Sequence, residues 1–196
     1  MRRQLSAVGK QKWIMKRKPK LWIKPKLWIG ITGVNMQNYY YKRVDDGSFS
    51  VVEYEGDDAD VIVPAIHAGQ PVTVLYDRLF RGHDEIRSLA IPDTVTDIGA
   101  FVFEGCCGLT ELRLPAGLKY MWPYAFCRSS LEEIILPEGI RTIAPHTFQE
   151  CRKLKRIVCN SGLKEIKALA FEGCSKELEI IHDDHVKINP RALGEN

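Results

Sequence analysis

Six cysteines, a His-x-x-His pair and a short acidic run are the residues of this chain whose types and spacing suit chemistry. Thiolates bind zinc and exchange disulfides, but no C-x-x-C pair is present, so a structural zinc site is not expected. His182-Asp-Asp-His185 carries the right atoms for a divalent metal. Its expected role is a solvated turn near the end of the chain, and no metal is assigned to it. Asp57-Asp58-Ala-Asp60 has calcium-type ligands but lacks the glycine and the distant glutamate of a calcium loop. It is expected to be a solvated turn before a Val61-Ile-Val63 strand. The chain contains no G-x-S-x-G, no phosphate-binding glycine-rich loop and no paired acid/base signature. No catalytic residue, cofactor or small-molecule substrate is therefore expected, and the chain reads as non-enzymatic.

A second kind of chemistry lies in the charge distribution. Residues 1–44 hold 12 Lys and Arg and no Asp or Glu; the remainder holds 16 basic and 25 acidic residues, a net of −9 hidden within an overall +3. A basic arm on an acidic body points to a separate element with its own partner. Lys18-Pro-Lys20-Leu-Trp22-Ile is repeated at once as Lys24-Pro-Lys26-Leu-Trp28-Ile. Lysines interleaved with tryptophans would grip single-stranded nucleic acid, lysine to phosphate and tryptophan stacked on bases. The same mixture would lie on an anionic membrane surface, form an extension without a binding role, or add an edge segment to the solenoid described below. Two prolines argue against one continuous amphipathic helix through the duplication.

The elements that position everything else are set by a ruler of aromatic residues. Phe80, Phe103, Phe126, Phe148 and Phe171 are spaced by 23, 23, 22 and 23 residues. A fixed period of this size is the mark of a solenoid, whose units cannot bury their apolar face alone. Before each phenylalanine runs a segment such as Leu109-x-x-Leu112-x-Leu114-Pro115 or Leu131-x-x-Ile134-x-Leu136-Pro137. Its alternating end suits a short strand with one buried face. The proline has no N–H for a ladder and opens a turn. A second extended piece and one helical turn around the phenylalanine complete each coil. Leu193, 22 residues after Phe171, reads as a degraded last rung. The recurrence turns Cys106, Cys151 and Cys174, each three residues after a phenylalanine, into small buried packing groups. Neighbouring coils would bring Cys151 and Cys174 within bridging distance, although no export signal argues for an oxidising compartment.

These residues resemble the BspA-type leucine-rich repeat family over about residues 39–194. The motifs that carry the likeness are Leu112-Arg-Leu114-Pro115, Ile134-Ile-Leu136-Pro137, Ala125-Phe126, Phe103-Glu-Gly-Cys106 and Ala170-Phe171-Glu-Gly-Cys174. The resemblance implies a repeat solenoid of leucine-rich-repeat coils with short parallel strands on one face. It also implies a binding or adhesion role, often at the surface of host-associated bacteria. The chain departs from the pattern at Ser129, where cysteine is usual, and at Asn160, where proline is usual.

Three segments are expected: a basic arm (1–37), an N-terminal capping β-hairpin (38–60), and a solenoid of about five to six coils (61–196). Asp46-Gly47 between Tyr39-Tyr40-Tyr41 and Phe49-Ser-Val51 is a hairpin turn signal. On the solenoid, residues between inward leucines point outward: Ala90, Arg113, Ile135 and Val158, flanked by Arg87, Glu111, Glu133 and Arg156. These eight are the candidate contacts for a protein partner. Tyr120, Trp122 and Tyr124 are either a binding cluster or packing beside the Pro123 turn. No secretory leader and no run of about 20 apolar residues is visible, which suggests the cytoplasm, whereas the resemblance suggests the cell surface.

Overall fold

A computed structural model of the protein describes residues 37–194. Its strands are β1 (Asn38–Arg43), β2 (Phe49–Glu55), β3 (Asp60–Ile62), β4 (Ile66–His67), β5 (Gln70–Leu75), β6 (Ser88–Ala90), β7 (Asp97–Ile98), β8 (Tyr120–Met121), β9 (Glu133–Ile135), β10 (Thr142–Ile143), β11 (Arg156–Val158), β12 (Glu165–Ile166), β13 (Glu179–Ile181) and β14 (Lys187–Ile188). β1 and β2 form an antiparallel hairpin, and β2 pairs parallel with β5, so the hairpin closes the first coil. Tyr39 is buried in this cap and donates its hydroxyl hydrogen to the Ile62 carbonyl at 2.9 Å. Tyr41 stacks on His67 at 3.7 Å, and burial pushes its hydroxyl up to about 12.

Six coils follow, and their strands fall into two rows. The first-strand row holds β3 with β6, then β13-β11-β9. The second holds β5-β7-β8, then β10-β12-β14. Both are parallel, as stacked coils of one handedness require. The five ruler phenylalanines are almost wholly buried and stack with ring centroids 5.9, 5.0, 5.2 and 5.5 Å apart. Burying one such ring contributes about 1.5–3 kcal/mol by area alone. The rungs inside the strands complete a single core, from Val61 and Leu89 through Ile134 and Ile157.

The segment around each phenylalanine is not a helical turn, as its spacing had suggested, but a pair of tight turns. Arg78, Phe101, Tyr124, His146 and Leu169, each two residues before the ring, have φ of 64°, 60°, 65°, 60° and 61°. Two residues after it, Gly82, Gly105, Arg128, Glu150 and Gly173 are also left-handed. A left-handed residue reverses the chain and prevents a helix from propagating, at a cost of roughly 1 kcal/mol for a side chain other than glycine. Backbone bonds between coils offset that cost. Phe103 N donates to Ala125 O at 2.8 Å, Phe126 N to Thr147 O at 2.9 Å, and Phe148 N to Ala170 O at 2.9 Å. The left-handed side chains themselves stack into an outer column. Arg78 lies over Phe101, Phe101 on Tyr124 at 4.7 Å, and Tyr124 on His146 at 4.6 Å.

Three cysteines also serve the stacking. Cys106, Cys151 and Cys174 each donate the thiol hydrogen to a phenylalanine carbonyl of the preceding coil, all at 3.0 Å. All six cysteines are free thiols in this structure. Burial pushes Cys106 up to about 12 and Cys127 and Cys159 up to about 11, so these groups are held as thiols at neutral pH. Ser129, at the equivalent position, lies 3.4 Å from the Cys151 sulfur. Asn160 replaces the usual proline without a gap in bonding: its amide donates to Pro137 O at 2.7 Å and Ile140 O at 3.0 Å.

Leu193 occupies the equivalent rung position, since Phe171 N bonds to Ala192 O. Its side chain is nonetheless 62% exposed because no further coil among the described residues covers it.

Candidate functional site

The strand side chains that alternate outward fall into two surfaces with different electrostatics. On the first-strand face, register places Ile62 beside Ala90, and Ile135 beside Val158 beside Ile181. Ile135 is 61% exposed, whereas Val158 is half-buried. Alternation implied an exposed strip through both residues; the register brings them together, but of the two only Ile135 is exposed. Two residues away runs a charged row, with Glu133 beside Arg156 beside Glu179. Arg156 pairs with Glu133 at 3.3 Å and with Glu179 at 3.8 Å; Lys155 pairs with Glu132 at 2.9 Å. Charge alternates from coil to coil, so this row neutralises itself.

Arg87, Glu111 and Arg113 are exposed on the same side. The Arg87 guanidinium donates to the Asp84 carbonyl at 3.3 Å, and Arg113 lies 3.7 Å from Asp93. Glu111-Leu112-Arg113 carries the inward leucine but forms no strand. The first-strand sheet is therefore split at that coil, and Glu111 and Arg113 stand apart from the ladder that joins Glu133, Ile135, Arg156 and Val158.

On the second-strand face lie Tyr120, 61% exposed, and Trp122, 47% exposed. Tyr124 belongs instead to the outer stacked column. The cluster read from the sequence is thus divided: two rings face solvent and one is packing.

The acidic run departs from its expected solvated turn. Asp58 is 3% exposed, beneath the cap, and neither carboxylate oxygen has a hydrogen-bond partner; the Tyr54 hydroxyl is also buried without one. No sequence pattern distinguishes it from its exposed neighbours Asp57 and Asp60. At the other end His182 and His185 are exposed, and His185 Nε2 is engaged with the Leu163 carbonyl at 3.0 Å. No group of metal-ligating side chains forms among the described residues. Lys18, Lys20, Trp22, Lys24, Lys26 and Trp28 lie outside the described residues. No helix among the described residues is long and apolar enough to cross a membrane.

Stacked coils with two rows of short parallel strands, each coil closed by a turn around one buried ring, define a leucine-rich-repeat solenoid. The family model of the BspA type leucine rich repeat region matches residues 73–195 in six copies, and the chain belongs to that family. Solved structures share the fold. A leucine rich repeat protein of T. pallidum is 22% identical with a TM-score of 0.61, covering 76% of this chain and 82% of that one. The pneumococcal vaccine antigen PcpA is 21% identical with a TM-score of 0.57, covering 80% of this chain and 49% of PcpA. A leucine rich cell surface protein from Faecalibacterium prausnitzii A2-165 is 22% identical with a TM-score of 0.53, covering 79% of this chain and 52% of that one. This chain thus spans about half the length of the last two. No curated protein matches it. Membership of this repeat family marks the chain as a repeat module of the interaction or adhesion type, and the solved structures show its fold.

Proposed function

We propose that this solenoid is a non-enzymatic module that engages a protein partner, as an interaction or adhesion surface, through its first-strand face. The observation that carries this reading is the apolar row in which exposed Ile135 lies in register with half-buried Val158 and Ile181, bordered by the Glu133–Arg156–Glu179 charges. An apolar centre with a polar rim is the anatomy of a protein interface. The rim charges satisfy one another in the free state, so they add specificity on docking without leaving a cation unpaired. Arg87, Ala90, Glu111 and Arg113 extend the surface toward the cap. A partner recovered with the full chain should be lost on Ile135→Asp and weakened on Arg113→Glu, as read in a pull-down against purified candidates. Unchanged binding by both variants, with folding intact by circular dichroism, removes this face from the reading. Bacterial neighbours with cell-surface and antigen descriptions support a surface-exposed setting for the same activity.

A further inference from the structure

The second-strand face carries a site of opposite character. Lys119, Arg141 and Lys164 occupy equivalent places on three consecutive coils. Thr96 O receives Lys119 N, and Arg141 O receives Lys164 N, each at 2.8 Å. All three side chains are exposed. None has an ion-pair partner among the described residues. Carboxylates near the column are engaged elsewhere: Asp97, in register with Tyr120, accepts from the Thr96 hydroxyl at 2.6 Å, Glu138, three residues before Arg141, accepts from the Ser161 hydroxyl at 3.4 Å, and Glu165 pairs with Lys167 at 2.7 Å. Outside the basic arm, the chain is net negative, so this column is a local exception to the charge of the body.

The same place holds the one interruption of the second-strand row. β7 pairs with β8 and β10 with β12, but no ladder joins β8 to β10. The break coincides with the short interval of the ruler. The interval from Phe126 to Phe148 is 22 residues, one fewer than its neighbours, and the residue is missing between Phe126 and Leu131. Beneath, the coils still touch, for the Leu118 carbonyl comes so close to Gly139 that a β-carbon there would collide. Above, the faces part into a groove of about 430 Å³ lined by Lys119, Tyr120, Trp122, Pro123, Gly139 and Arg141.

From these observations we infer that the groove takes a short, extended acidic segment of a protein partner. Its carboxylates sit on Lys119, Arg141 and Lys164, and one apolar side chain lies against Tyr120 and Trp122. The inference rests on the reading of the chain as a protein-binding module, but it concerns a different face. Charge complementarity selects the occupant. The chain's own arm, with 10 Lys and Arg in residues 1–36, is repelled by the column. A long polyanion, whether a nucleic acid or a sulfated glycan, extends past the column and meets the acidic body. Three coils span about 10 Å at roughly 4.8 Å per step, and alternate residues of an extended peptide are about 6.6 Å apart. Two or three carboxylates of one short segment therefore match the column, and the exposed rings supply the aromatic anchor that such interfaces favour.

The test is fluorescence anisotropy of the full chain with a labelled eight-residue peptide that alternates Glu and Gly around a central Leu. Competitors are the same peptide with Lys for Glu, oligodeoxythymidine, and a heparin fragment. The acidic peptide should bind, more weakly as salt rises, and the lysine peptide should not. Arg141→Glu and Trp122→Ala should each weaken binding by about tenfold. Lys176→Glu, an exposed residue outside both strand rows, should leave binding within about twofold, since sites without shared contacts act independently. The full chain carrying K18Q, K20Q, K24Q and K26Q should also bind within twofold, which separates the groove from the arm. Retained affinity in Arg141→Glu, loss in the arm variant alone, or no peptide binding overturns the inference. So does oligodeoxythymidine or heparin binding that Arg141→Glu weakens more than it weakens peptide binding. Because the peptide is added directly, these outcomes are independent of whether the first-strand face has a partner.

Discussion

The two strand faces are built from the same repeat, yet one satisfies its charges and the other does not. On the first-strand face the sign alternates along the stack, Glu133, Arg156, Glu179, and every neighbour is a partner. On the second, Lys119, Arg141 and Lys164, each just before a second strand, repeat the same sign on three consecutive coils. Like charges on adjacent strands repel. A solenoid thus sets the electrostatics of a face by the order of residues along its axis, more than by composition. A face neutralised in this way suits an apolar contact; a face left charged suits a counter-charged ligand.

The largest expected effect tests whether the faces share one core. Phe126→Ala removes a buried ring in mid-stack and should cost about 3–5 kcal/mol, seen as a shift in the urea unfolding midpoint. Leu193→Ala at the exposed end should change stability by no more than about 0.5 kcal/mol. Equal losses would show that the faces do not rest on a common stack. Next in size is the corner between the faces. Asn160→Ala leaves the Ile140 carbonyl without its side-chain donor and Pro137 O with only the Ile140 N–H at 3.1 Å, and about 1–3 kcal/mol should be lost in the same assay. Stability equal to wild type would mean that the corner is held by the backbone alone.

A pair of double-mutant cycles sharpens the charge comparison. Glu133–Arg156 should show a favourable coupling of about 0.2–1 kcal/mol. Lys119–Arg141 should show an unfavourable coupling of a few tenths of a kcal/mol, roughly as like charges on neighbouring strands do. Both should shrink in high salt. The same sign in both cycles would erase the distinction. The smallest perturbation is chemical: under native conditions a thiol reagent should label exposed Cys107 well before buried Cys106, as mapped by mass spectrometry of peptides. Equal rates would place Cys106 outside the core that underlies both faces.

Much of this was legible because burial repeats. Phe80 to Phe171 and the strand leucines had to face inward at a fixed period, so coils and rungs follow from spacing, while the capping hairpin followed from the Asp46-Gly47 turn signal. The turns were not legible, since the left-handed positions before each ring hold Arg78, Phe101, Tyr124, His146 and Leu169, none of them glycine. Bonding between coils, invisible in one repeat, holds them there. The register of Ile135 beside Val158 followed from alternation, but the half-burial of Val158 and the loss of strand pairing at Glu111–Arg113 did not. Asn160 showed as a departure from pattern without revealing its two carbonyl partners. Asp58 looked like its neighbours because its burial depends on the cap closing over it. The 22-residue interval was visible as a number, while the groove beside it was not.

That shortened interval has a mechanical consequence. Between the Phe126 and Phe148 coils the second-strand row carries no ladder, and in the first row β9 has no strand partner on the cap side. What joins the two blocks is the turn side, through Phe126 N to Thr147 O, Arg128 N to Gln149 O, and the ring stack, with Glu132 N to Thr110 O beside them. Under tension along its axis, the rod should yield first at this junction. It would open like a book whose spine is the phenylalanine column and whose parting pages are the two strand faces.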